Sequence, residues 1–150
     1  MKSLVYLPGK ELHQLKAFAE IRILVFGFVL SLAWEVFQSP FYADTFEASG
    51  VTLVYNRVHC SAGDALILLF AFWIVALIWG RSWMSNVKWV SYIAFMAIGV
   101  VYTVFSEYLN VYLLEGWAYS YWMPMVAGIG LVPVLQWVVV PTFVVRLYES

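Results

Sequence analysis

Four long apolar runs, at about residues 17–37, 62–80, 89–114 and 125–145, dictate what this chain can fold into. Each is close to the ~20 residues that an α-helix needs to cross ~30 Å of hydrocarbon. The chain is 64% hydrophobic and only 11% charged, where a soluble domain carries about a quarter charged residues. Its mean hydropathy is +0.85. One aqueous core cannot hide that much apolar surface, so lipid is the expected solvent. The expected fold is all-α: a polytopic membrane protein of four transmembrane helices, forming a single integral membrane domain over residues 1–150. The 89–114 run is the longest and is expected to tilt or to project beyond the lipid.

Charge orients these spans. Lys2, Lys10, Lys16 and Arg22 lie on or near the N-terminal segment, Arg81 and Lys88 between the second and third spans, and Arg146 after the fourth. All seven fall on one side of the membrane, and Arg57 alone on the other. The bias of Lys and Arg toward the cytoplasm then puts both termini inside. Residues 10–16, KELHQLK, are expected to start an interfacial helix after the Pro8-Gly9 turn. The first apolar run is too long for a signal peptide, carries Glu35 and is followed by no A-x-A site. Trp79, Trp83, Trp89, Tyr92 and Tyr148 fit an inner aromatic belt. Tyr42, Trp117, Tyr119, Tyr121 and Trp122 fit an outer one.

Three carboxylates break the apolar pattern. Glu35, Asp64 and Glu107 all fall toward the outer ends of their spans, and a charge at membrane depth costs about 2.5–3.5 kcal/mol at the helix centre. Thr103, Ser106, Glu107 and Asn110 recur at i, i+3, i+4 and i+7, which is one helical face. Gly27, Ser31, Glu35 and Gln38 repeat the pattern in the first span. Such stripes turn inward rather than toward lipid. Glu107 lies about 10 Å below the end of its span at 1.5 Å per residue, and Gln136 lies deeper. The stripes therefore predict a polar pocket open toward the outer side, with His59, Cys60 and Asp64 at the start of the second span. The blander roles are ordinary ones. Asn110, Gln136, Ser31 and Ser106 suit interhelical hydrogen bonding, Asp64 suits a helix N-terminus, and Cys60 suits a buried inert thiol.

The outer loops flank this pocket. The segment from Gln38 to Ser61 is long for a connection, and its VTLVYNRV stretch is rich in β-branched residues, favouring a short strand or a surface-lying segment. The EGWAYSYWMPM loop reads as an aromatic belt or as a cap over the pocket mouth, with Pro124 starting the fourth span. The GIG at Gly128–Gly130 reads as helix packing, and Pro133 and Pro141 are expected to bend the fourth helix.

No catalytic motif accompanies the pocket: the chain has no G-x-S-x-G, H-E-x-x-H, C-x-x-C or P-loop. No cofactor is legible. Net charge is −1 without a basic cluster, against a nucleic-acid partner. Glu35, His59, Cys60, Asp64 and Glu107 are all chemically able to ligate a metal, and the mixed set suits a transition ion. The first expectation is a pocket that binds a small-molecule or lipid-like ligand through His59, Asn110, Gln38, Gln136 and Trp117. The alternatives are an intramembrane lipid-modifying enzyme, with Glu107 and Glu35 or Asp64 as acid and base, and an accessory subunit of a membrane complex. Transport by so few helices would call for a homo-oligomer or a membrane partner subunit.

The segments Trp34-Glu35-x-x-Gln38-x-Pro40-x-Tyr42, His59-Cys60-x-x-Gly63-Asp64, Ser106-Glu107-x-x-Asn110 and Trp117-x-Tyr119-Ser120 resemble blocks in a family of small bacterial four-helix inner-membrane proteins. Together the blocks cover most of the chain. The resemblance implies the inner (cytoplasmic) membrane and no particular activity. The topology has a direct check at the one cysteine. A membrane-impermeant thiol reagent is expected to label Cys60 from the outer side only, and labelling solely from the cytoplasm would refute the orientation.

Overall fold

The computed structural model describes residues 9–149, with side-chain surroundings from residue 19 onward. Lys2, Pro8 of the expected Pro8-Gly9 turn, and the side chains of Lys10 and Lys16 lie outside the described residues. The chain is mostly helical. Four long helices, α1 (Gly9–Gln38), α3 (Gly50–Trp79), α4 (Trp89–Tyr108) and α5 (Leu131–Glu149), are joined by short irregular segments. A single helical turn, α2 (Asp44–Glu47), precedes α3. Among the described residues three helices, Gly50–Trp79, Trp89–Leu113 and Leu131–Glu149, are long and apolar enough to cross a membrane.

Helix α1 packs on α3 and α5, and α4 packs on the same two, closing a ring of four. Periodicity explains which faces meet. Ile23, Gly27, Ser31, Glu35 and Gln38 are the buried stripe of α1. Ser91, Phe95, Gly99, Thr103 and Glu107, each four residues from the last, are the buried stripe of α4. Away from the cavity end the core is apolar, built on Ile23, Leu68, Phe72, Phe95, Val140 and Val144. Large apolar side chains such as Val51, Leu77, Val101 and Phe105 face outward. Such faces suit lipid, where close packing at small residues rather than burial of apolar groups holds helices together. Gly27 lies against Ala65 and Leu68, and Gly99 lies under the indole of buried Trp137.

Several boundaries differ from those the sequence predicts. Helix α3 starts at Gly50 rather than near residue 62, so VTLVYNRV is helix and not strand. Ser49 starts it: its Oγ accepts the Thr52 amide at 3.3 Å, an N-cap. Once nucleated, helix propagation into an apolar span overrides the local β preference. Thirty residues reach about 45 Å, well beyond the hydrocarbon thickness. Gly80 ends the helix at φ 84°, the left-handed region open to glycine.

At the other end of the chain, α5 starts at Leu131 rather than 125. A hairpin, β1 (Met125–Val126) paired antiparallel with β2 (Ile129–Gly130), occupies the intervening residues. Ala127 and Gly128 both have positive φ, as a two-residue hairpin turn requires. The GIG segment is thus a hairpin, not helix packing. Pro133 falls in the first turn of α5, where proline removes no intrahelical bond, and Pro141 alone lies within the helix. Helix α4 continues as a π-helical turn, Leu109–Leu113.

The end of the bundle opposite the cavity is tied by charge. Arg81 pairs with Glu20 and lies 4.2 Å over the Trp73 ring. Arg22 donates to the Leu147 carbonyl at 2.7 Å. Trp83, placed by the sequence in an aromatic belt, is instead buried between Phe72 and Phe95, and its indole N–H donates to the Phe72 carbonyl at 3.3 Å.

A Cβ added at Gly99 would sit 1.9 Å from the Trp137 ring, whereas one at Gly50 meets nothing within 4 Å. Gly99→Ala is expected to destabilise the bundle by about 1–3 kcal/mol, the usual effect of overpacking. Gly50→Ala should be close to neutral. Thermal unfolding of both variants in mild detergent checks the contrast.

Candidate functional site

The polar stripes of α1, α3 and α4 meet at one end of the ring, around a cavity of about 430 Å³. Glu35, Asp64 and Glu107 all line it, together with Cys60, Asn110 and Gln136. His59 and Trp117 line it too. Three separate polar networks hold the carboxylates.

Glu35 sits in the first. Gln38 donates to its Oε1 at 2.7 Å and in turn accepts the Trp34 indole N–H at 3.1 Å. Gln38 therefore stands behind Glu35, buried and off the cavity wall. Across the cavity end, Arg57 Nη1 lies 3.7 Å from Glu35 Oε2. Its Nη2 donates to Asp44 Oδ1 at 2.7 Å and to Thr45 Oγ1 at 3.2 Å. Asn56 adds a bond of 3.3 Å to the other Asp44 oxygen. One guanidinium thus serves two carboxylates from two different segments, the planar fork geometry that suits arginine and not lysine.

Glu107 sits in the second. Tyr42 donates to its Oε1 at 3.0 Å and Tyr119 to its Oε2 at 2.7 Å. The Gly130 amide donates to the Tyr119 hydroxyl at 2.9 Å, so the hairpin is tied in as well. Around these bonds the two loops pair by backbone: Ala43 N–H donates to Ala118 O and Ser120 N–H to Phe41 O, both at 2.9 Å. Glu107 is therefore a clasp that fastens both loops to α4. Burial holds both phenols above their ordinary titration range, and the Glu107 carboxylate they share pushes the same way.

Asp64 sits in the third. Among the described residues it accepts a single hydrogen bond, from Gln136 Nε2 at 2.5 Å, joining α3 to α5. The remaining candidates do less. Asn110 spends its amide on its own helix, donating to the Ser106 carbonyl at 2.9 Å. His59 is exposed at the rim, stacked on Tyr55 with ring centroids 5.7 Å apart. Cys60 is a free thiol. Among the described residues no three His, Cys, Asp or Glu side chains converge to hold a metal ion, so the set Glu35, His59, Cys60, Asp64 and Glu107 surrounds one cavity without forming a coordination sphere.

Two donors in residues that line the cavity have no hydrogen-bond partner among the described residues. Arg57 Nε and Trp117 Nε1 are buried and make no hydrogen bond, although the indole lies close to Glu107. Buried N–H groups are rarely left so. The sequence singles out neither Arg57 nor the two tyrosines as site residues. Arg57 falls in a segment expected to be loop; read as helix from the Ser49 cap, it stands seven residues before Asp64 and on the same face. Tyr42 and Tyr119 read as belt residues, and nothing local marks their meeting with Glu107.

The clasp carries a prediction. Tyr42→Phe or Tyr119→Phe leaves a buried carboxylate oxygen without its donor and should cost about 1–3 kcal/mol at pH 7. Raised folded-state phenol values mean that the clasp contributes fully below about pH 10, the unfolded tyrosine value, and fades as pH rises through the folded values. Thermal unfolding from pH 7 to 11 should show the onset of that loss above pH 10 in the parent protein and a shallower one in the double Phe variant.

Comparison of the chain with protein-family models, with curated proteins and with solved structures returns no match.

Proposed function

We propose that the chain is an integral protein of the cytoplasmic membrane that binds a small-molecule or lipid-like ligand in this cavity, opened to the outer side. Three apolar helices support membrane insertion. Helix α1, as long as α3 and packed between α3 and α5, supplies a fourth crossing in this reading. Arg22 and Arg81 at one end of the bundle and Arg57 at the other favour cytoplasmic termini. One observation carries the binding role: a cavity of about 430 Å³ lined by Arg57 and four carboxyl groups, in which Asp64 keeps one oxygen clear of the hydrogen bonds among the described residues. Its size falls in the range of ligand sites.

A lipid-modifying acid–base enzyme is the second reading. The single hydrogen bond on Asp64 favours it, since that carboxylate retains an oxygen free to take or give a proton. Glu107 suits that role less, because both its oxygens are engaged by phenols.

Native mass spectrometry of protein released in mild detergent, with elemental analysis of the same sample, tests the binding role. A retained mass is expected in the parent protein and should be lost in Arg57→Ala or Asp64→Asn that remain folded. A bare protein across all mild detergents, parent and variants alike, would contradict tight binding.

A further inference from the structure

A second concavity adjoins the polar cavity. It is a groove of about 250 Å³ lined by Leu66, Ile67 and Phe70 of α3 and by Ile98 and Tyr102 of α4. Leu66 and Phe70 are exposed, so the groove opens on the outer surface of the bundle, where lipid chains would lie. Ile67 and Tyr102 line both the groove and the polar cavity. The two spaces thus share a wall between α3 and α4, and an occupant of both would cross at these two side chains.

The chemistry of the cavity selects the head of such an occupant. Four carboxyl groups, Glu35, Asp44, Asp64 and Glu107, line it against the single guanidinium of Arg57, and among them Asp64 keeps an oxygen clear of hydrogen bonds and ion pairs among the described residues. That surplus of acceptors disfavours a head group with net negative charge and suits one that carries an ammonium, with Asp64 as its acceptor. Arg57, the one guanidinium on the wall, offers a positive charge and N–H donors to an oxygen acceptor such as a phosphate. Acceptors for an ammonium and donors for a phosphate on one wall match a zwitterionic head, and the groove beside it matches an acyl chain.

We infer that the ligand is a zwitterionic phospholipid bearing an ammonium, its head group in the cavity and one acyl chain in the groove between α3 and α4. This rests on the binding role proposed above. It assigns Ile67 and Tyr102 as the threshold between head and chain, and it makes entry lateral, from the bilayer.

The test uses the full chain in detergent and follows binding by native mass spectrometry. The probes are dioleoylphosphatidylethanolamine, dioleoylphosphatidylglycerol and chain-free O-phosphoethanolamine. The ethanolamine lipid should bind at least about ten-fold tighter than the glycerol lipid. Ile98→Trp, which fills the groove, should weaken the ethanolamine lipid by about ten-fold while leaving phosphoethanolamine unchanged. Leu66→Trp obstructs the same groove from α3 and serves if the first variant does not fold. Asp64→Asn should narrow the preference between the two lipids. Equal binding of the two lipids would overturn the head-group assignment. Unchanged binding of the ethanolamine lipid in a folded groove variant would overturn the chain assignment and leave the cavity reading standing. Insensitivity of every probe to Asp64→Asn would bring down the cavity reading itself.

Discussion

The cost of holding carboxylates away from water governs the cavity end of this protein. Each of Glu35, Asp64 and Glu107 needs a partner where protein replaces solvent, and each has found a different one. The partners come from far along the chain: Arg57 reaches Glu35 across the first loop, Gln136 reaches Asp64 from the last helix, and Tyr42 and Tyr119 reach Glu107 from both loops. Satisfying the charges and folding the cap are therefore the same event. A pair broken from one side leaves an uncompensated buried group, which makes this end sensitive to substitution on either partner.

The three networks do not serve the same purpose. The Glu107 clasp is saturated and mechanical, fixing the loops that roof the cavity. The Asp64–Gln136 pair and the Arg57 cluster leave capacity facing inward. Below them the ring of helices is closed by small residues, and Gly99 makes room for the Trp137 indole that lines the cavity's inner wall. Rigid packing beneath and a fastened cap above would preorganise the cavity for a ligand instead of leaving it to collapse.

Much of this was legible from spacing alone. The stripes Gly27, Ser31, Glu35, Gln38 and Thr103, Ser106, Glu107, Asn110 follow from helical periodicity, and in each the first residue and the glutamate are buried. Periodicity says which face is polar, and membrane physics says that the face turns inward. Which residue answers which is a tertiary matter. Tyr42 and Glu107 are 65 residues apart, and no local pattern records their contact. The start of α3 was hidden because β-branched residues there favour strand locally, while the one signal for helix, Ser49, is a single capping side chain. The hairpin was hidden in turn, since the apolar MVAGIG segment is indistinguishable by hydropathy from the span that follows.

The most direct measurement is an experimental density map of the protein in lipid nanodiscs, at a resolution that shows head groups. The account predicts non-protein density inside the cavity, within hydrogen-bond reach of Asp64 Oδ1, with Tyr42 and Tyr119 still on Glu107. A cavity closed by its own side chains, with that oxygen bonded to a protein group, would contradict it.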